Sequence, residues 1–250
     1  MKLSIVFTVF STCVLLSCTQ KGISPSSNTD HNQALVKTSS TPKTSFSILF
    51  VGNSTYNVPT VLEVIAAKFG EKITSVSLTK PNYALEDHWN EGQLQKLIQS
   101  GRFNQVIVQQ GPSSQPPGRT SLIAYGKKIK TVCDASSASL GFYMVWPSRY
   151  YYRTFDGVIA NYTEAAKTNQ SMLFPAGVIW KAYDKLGKKE SLYGPDQFHP
   201  SLAGSFLAAL TIFHKLYPHK DLKSMKLKDY KIFFKDKASF KTVVELVSQS

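Results

Sequence analysis

Five short apolar runs, each separated from the next by a stretch with helical spacing, constrain this chain more than any other feature. Phe46 to Val51 has the length and content of a buried strand, and Ile73 to Leu78, Gln105 to Val108, Leu140 to Trp146 and Ser171 to Pro175 read as four more strands. Between them, Pro59 to Phe69, Ala84 to Ile98, Ser121 to Ser136 and Val158 to Thr168 place apolar residues at helical intervals. Strands that are apolar on both faces must be covered on both faces, and parallel neighbours can only be joined by crossovers long enough to provide that cover. The alternation therefore predicts an α/β domain, a three-layer α/β/α sandwich around a central parallel sheet of about five strands. Ligands of such sheets bind at the carboxyl ends of the strands.

The domain is preceded by something else. Met1-Lys2 is followed by an apolar stretch, Leu3 to Leu16, which is too short for a stable membrane span and has the charge-then-apolar order of a secretory signal. It closes on Leu15-Leu16-Ser17-Cys18, which resembles a bacterial lipobox; an ordinary signal peptide with an incidental cysteine is the alternative. The resemblance implies a lipid on Cys18, export, and anchoring in the cell envelope. Thr19, where an aspartate would signal retention, implies the outer membrane in a cell that has two. Residues 19 to 44 are rich in Ser, Thr, Asn and Lys and cannot bury enough surface to offset the entropy of ordering. The organisation expected is a signal peptide over 1–17, a flexible tether over 18–44 starting at lipidated Cys18, and one domain over 45–250 that includes a basic C-terminal segment, 217–250.

Composition excludes several classes. Cys13 leaves with the signal and Cys18 carries lipid, so Cys133 stays alone and no disulfide forms in the mature domain; within a helical stretch it reads as a packed small hydrophobe. The formal charge is +13, much of it from lysines between His219 and Lys241. Attraction to anionic head groups or acidic glycans is one reading; a solvated surface is the other, and the dispersal of these lysines among Leu, Phe and Tyr favours it. No recognition motif accompanies the charge, so no nucleic acid is expected as a partner. Gly111 to Thr120 fails as a phosphate loop because the glycine spacing is wrong and Arg119 stands in the lysine position. The usual motifs for zinc, haem and dinucleotides are absent, so no metal and no cofactor is expected.

Two motifs carry chemistry. Gly52-Asn53-Ser54 lies just beyond the first strand, and Asp196-Gln197-Phe198-His199-Pro200-Ser201 precedes a late helical stretch, Leu202 to Phe213. A serine hydroxyl is inert at neutral pH and needs a base to take its proton; a histidine with an ordinary pKa near ~6.5 suits, and a carboxylate can fix its tautomer. Asp196 stands three residues before His199, within local reach. Each piece also has a plain reading: Ser54 as a turn residue within a glycosylation-like Asn53-Ser54-Thr55, and Asp-x-x-His as a loop contact.

In that order, and with an α/β pattern between them, the Gly-Asn-Ser-Thr-Tyr and Asp-x-x-His-Pro-Ser blocks resemble the first and last blocks of the SGNH (GDSL-like) hydrolases. The likeness covers residues 46 to about 216. It is nearest to the branch with Gly-Asn-Ser in place of Gly-Asp-Ser and a Leu-Gln-Glu-like end to the third strand, here Val108-Gln109-Gln110. The resemblance implies the flavodoxin-like fold of that family, Ser54 as nucleophile, His199 as general base and Asp196 as its orienting partner. It also implies an oxyanion hole of the Ser54 N–H, the Asn82 N–H in place of a glycine, and the Gln109 side chain with Gln110 as the runner-up. Asparagine tolerates the positive φ that such a position needs. Asn53, His88, Trp146 and Arg149 are substrate-contact candidates; His88 reads equally as a packed residue, and the aromatic and arginine-rich loop of the last two suits a sugar ring or a carboxylate or else simply covers the sheet edge. The function expected is a serine esterase acting on an acyl or acetyl ester, with an acylated carbohydrate as one substrate. An O-acyltransferase, or a non-catalytic glycan- or partner-binding lipoprotein that keeps the fold, stands as the alternative.

Overall fold

Strand β1 (Phe46–Gly52) is apolar in all but one position and is fully buried from Ile48 onward, so it can only lie inside a sheet. In the computed structural model, which describes residues 45–54 and 56–250, β1 pairs in parallel with β2 (Ile73–Thr79) on one side and β3 (Gln105–Val108) on the other. Strands β4 (Ser139–Tyr143) and β5 (Met172–Phe174) extend the sheet beyond β3, again in parallel. The order β2-β1-β3-β4-β5 is the doubly wound arrangement whose direction reverses between β1 and β3. The carboxyl ends of these two strands therefore open a crevice. The expectations for the signal, tether and Cys18 fall outside the described residues.

Alternating side chains of β1 feed two cores. Ile48 and Phe50 pack beneath α1 (Val58–Lys68), α6 (Ala176–Lys185), α7 (Leu202–Leu216) and α8 (Lys237–Ser248). Leu49 and Val51 face α2 (Leu85–Glu91), α3 (Gln93–Gln99), α4 (Pro116–Ala135) and α5 (Phe155–Thr168). This is the α/β/α sandwich that the alternation predicts. Cys133 is fully buried in the second core, and burial pushes its thiol up to about 12, so it behaves as a hydrophobe.

Several boundaries differ from expectation. The helix read over Ala84 to Ile98 is two helices, because Gly92 between them adopts φ of +75° and ends the first. Helix α4 begins at Pro116, five residues before the expected start, since Pro116 and Pro117 sit in the first turn where a missing N–H costs nothing. Strand β4 stops at Tyr143 rather than running to Trp146. Helix α6 was not expected at all; its Ile179, Trp180 and Tyr183 are buried against the sheet. The C-terminal segment folds onto the domain through two 3-10 turns, Leu222–Ser224 and Leu227–Asp229, and α8, whose Asp236 cap accepts from Ser239 N at 2.7 Å. Among the described residues no helix is long and apolar enough to cross a membrane.

Candidate active site

The ends of β1 and β3 are pressed together at the crevice. A Cβ on Gly52 would lie 2.5 Å from Gln109 Nε2 and 2.7 Å from the Gln109 carbonyl oxygen, so only glycine fits. Gln109 N donates to Val51 O at 2.9 Å, and His88 Nε2 donates to Gly52 O at 2.9 Å. The chain leaves β1 clamped from two sides, with Asn53 and Ser54 next.

Three donors then converge on one oxygen. Asn53 Oδ1 accepts from Ser54 N at 2.7 Å, from Gln109 Nε2 at 2.8 Å and, at the limit of hydrogen bonding, from the Ser54 hydroxyl at 3.5 Å. Gln109 Nε2 also donates to Ser54 O at 2.6 Å. Gln109 is 1% exposed, and its Oε1 has no partner, a cost of about 1–3 kcal/mol. Reversing the amide would set Oε1 against two other oxygens, so the orphan is the lesser penalty. Gln110 is engaged elsewhere: its Oε1 accepts from Leu85 N at 3.2 Å, its Nε2 donates to Ser113 Oγ at 2.8 Å, and its backbone exchanges bonds with the Tyr162 hydroxyl. That removes it as the runner-up donor. Asn82 does adopt a positive φ, +65°, and borders the adjoining hollow that Asn53, Gly111 and Phe198 also line.

The histidine comes from a loop built to hold it. A single antiparallel bridge pairs Tyr193 with Pro200, and Gly194 N donates to His199 O at 2.7 Å. Inside the loop Asp196 Oδ1 accepts from His199 N at 2.9 Å and Phe198 N at 3.1 Å, leaving Oδ2 to take the hydrogen bond from His199 Nδ1. The imidazole and then the Phe198 N–H hold the Asp196 carboxyl below its usual range, so it stays ionised. Ser201 caps α7, accepting from Gly204 N at 3.1 Å.

Ser54 and His199 line one pocket, floored by Val58, Tyr143, Val145 and Trp146. The hydroxyl is turned to Asn53 Oδ1, and a hydrogen bond from Ser54 to His199 is not among those formed by the described residues. Tyr56, the last residue of Gly-Asn-Ser-Thr-Tyr and given no role from sequence, lies against the imidazole with ring centroids 4.5 Å apart. It is a non-glycine residue at φ +45° with 47% of its surface exposed. An aromatic two residues after the serine was the available signal.

The substrate-contact candidates separate. Asn53 and Trp146 line the pocket, whereas His88 and Arg149 do not. Trp146 also braces the histidine loop: its Nε1 donates to Phe198 O at 3.0 Å while its ring stacks 3.6 Å from Trp180, a pairing worth about 0.5–1.5 kcal/mol beyond burial. Arg149 acts from behind, its N–H on Gln197 O at 2.8 Å and its guanidinium on Asp184 at 2.8 Å and over the Tyr193 ring. His88 is 1% exposed with Nδ1 unpartnered.

Burial pushes the His88 imidazole below its ordinary range, the bond to Gly52 O opposing in part. The unfolded chain therefore binds a proton at this ring, near pH ~6.5, that the folded chain refuses. Its stabilising contribution is complete above that pH and is lost as pH falls toward the folded value. His214, also pushed down by burial, acts in the same sense. His88→Gln is accordingly expected to flatten, without abolishing, the fall in melting temperature between about pH 7 and 5. Equal slopes for both proteins would place the proton uptake elsewhere.

No protein-family model and no curated protein matches the chain. Solved structures do match. A DUF4886 family protein from Bacteroides uniformis superposes with a TM-score of 0.66 at 15% identity, covering 82% of this chain and 94% of that one. A Slackia heliotrinireducens protein assigned to the SGNH hydrolases gives 0.58 at 20%, covering 69% and 100%. A psychrotrophic esterase from Pseudoalteromonas, in a structure inhibited by monoethylphosphonate, gives 0.51 at 16%, covering 69% and 97%. At these identities the likeness is one of fold: the chain has the α/β/α fold of SGNH hydrolase structures.

Proposed function

We propose that the chain is a serine ester hydrolase of the SGNH type. The observation that carries this reading is the convergence of the Ser54 N–H and the Gln109 amide on one oxygen, within 3.5 Å of the Ser54 hydroxyl, in the pocket that His199 also lines. Asn53 Oδ1 marks where such donors hold an oxygen, and a substrate carbonyl entering the pocket takes its place. Ser54 Oγ attacks the carbonyl carbon and its proton passes to His199 Nε2, the nitrogen that Asp196 leaves free by engaging Nδ1. The oxyanion is held by the displaced donors, each worth about 3 kcal/mol in the transition state. Collapse expels the alcohol with the proton from His199. Water, deprotonated by the same imidazole, then releases the acid and restores Ser54.

The pocket floor is apolar and close, which favours a short acyl group. The alcohol portion extends into a neighbouring hollow that shares Pro112 and Phe198 and is otherwise lined by Tyr150, Tyr151 and hydroxyls such as Ser148 and Thr154. Exposed aromatic faces, hydroxyls and the lack of a charged side chain in this lining suit a neutral sugar ring. A non-catalytic binding protein draws support from the Ser54 hydroxyl facing Asn53 instead of His199.

Reaction with an alkyl phosphonate ester and intact mass measurement separates these readings. A single adduct mapping to Ser54, with parallel loss of p-nitrophenyl acetate turnover, is expected; absence of any adduct favours the binding protein. The lipid anchor and export read from Leu15 to Cys18 belong to the same proposal. Spectra of chain recovered from membranes check it, since the mature protein should begin at a Cys18 carrying the mass of its acyl groups.

A further inference from the structure

We propose that the groove between the 3-10 turn Leu227–Asp229 and α8 is a docking surface for an anionic phospholipid bilayer. Its floor is apolar, formed by Met225, Leu227 and Phe240. Its rim is Lys226, Lys228, Lys231, Lys237 and Lys241. A second hollow shares Met225, Phe240 and Lys241 and continues along α8 to Lys223, with Glu245 as its one carboxylate.

The charge on this rim is uncompensated. No rim lysine forms an ion pair among the described residues; Lys80, Lys130, Lys181 and Lys220 each reach a carboxylate within 2.7 Å, while others such as Lys68, Lys96 and Lys167 are also unpaired, so the rim is distinguished by its clustering around one groove. The acids of the segment are few: Asp221 and Asp236 cap the 3-10 turn and α8, leaving Asp229 and Glu245 exposed nearby. Repulsion among clustered ammonium groups is relieved by a partner that brings negative charge. The apolar floor calls for a partner that also brings hydrocarbon. Ile232, 73% exposed, follows the rim residue Lys231 in the chain without lining the groove itself, and is a large apolar side chain held in water of the kind a bilayer takes up.

An acidic glycan would satisfy the lysines and leave the floor and Ile232 wet, whereas an anionic bilayer satisfies both. The chain outside the structure fits the same partner. If Cys18 is lipidated, as proposed above, only residues 19 to 44 separate the lipid from the domain, a length that spans about 30 Å as a random coil. The surface is independent of ester hydrolysis and neither stands on the other.

The test uses the unlipidated chain from residue 19, which retains every described residue and both cores. Sedimentation with vesicles of phosphatidylglycerol and phosphatidylcholine in equal parts is expected to carry it down, and vesicles of phosphatidylcholine alone to leave it in solution. Raising the salt should release it, because exposed charges are screened. Joint replacement of Lys228, Lys231 and Lys237 by glutamine should lower partitioning about 100-fold. Ile232→Asp should also weaken it, both variants keeping the native circular dichroism and esterase rate. Equal sedimentation with the two vesicle types, none with either, or no effect of the lysine replacements overturns the proposal. So does equally tight binding to a soluble acidic polysaccharide that Ile232→Asp leaves unchanged, which would reassign the groove to glycans.

Discussion

Ser54→Ala is expected to lower p-nitrophenyl acetate turnover by a factor of about 10^4 or more, to the rate of the residual machinery. The substitution removes one oxygen and little else. Ser54 N still donates to Asn53 Oδ1 and Ser54 O still accepts from Gln109, so the clamp on the end of β1 stays closed. No buried group loses a strong partner, because the hydroxyl's contact with Asn53 is a long one at 3.5 Å. Stability should therefore be near native, and loss of turnover reports chemistry alone. His199→Ala should match it, and the double variant should be no worse than either, since nucleophile and base act as one unit. Turnover that survives in both single variants would mean that another group attacks the ester, and the proposed mechanism would fail.

The parts of this site that were legible in the sequence are those encoded by neighbours in the chain. Asp196 and His199 sit three residues apart, and the loop that joins them closes on its own backbone. The strands at the middle of the sheet were legible for a similar reason, since β1 and β3 are buried on both faces and read as largely apolar runs. What was missed depends on contacts that spacing does not carry. Trp146 reaches Phe198 across 52 positions, so its bracing of the histidine loop had no local signature. Arg149 serves that loop with its backbone N–H, which any residue but proline supplies. His88 was a substrate-contact candidate through the resemblance, with packing as the alternative, and its Nε2 bonds the Gly52 carbonyl away from the pocket lining. Helix α6 went unread from sequence; it starts directly after Pro175, and Gly177 packs so tightly against Val145 O and Met144 that a Cβ would meet the carbonyl at 2.5 Å, a contact that spacing does not carry.

Asp196→Asn is expected to cost about 10^4 in kcat while leaving the loop intact, and more than Asp196→Ala costs. The ordering follows from what already binds the carboxylate. Oδ1 accepts from two backbone N–H groups, Phe198 at 3.1 Å and His199 at 2.9 Å. An asparagine keeps its carbonyl oxygen there, because the reverse orientation would point an NH2 at two donors. Its NH2 is then forced toward His199 Nδ1, which must accept. The imidazole is left with its proton on Nε2, the tautomer that cannot take one from Ser54. Alanine imposes no tautomer: water can accept from Nδ1–H, and Nε2 stays free for part of the time. A residue that merely held the loop would give the opposite ranking, since asparagine preserves both backbone bonds and alanine loses them. Measuring kcat and melting temperature for the two variants distinguishes these cases. Asparagine should be the more stable and the slower of the pair, and an asparagine variant that is both more stable and faster would reduce Asp196 to a structural brace.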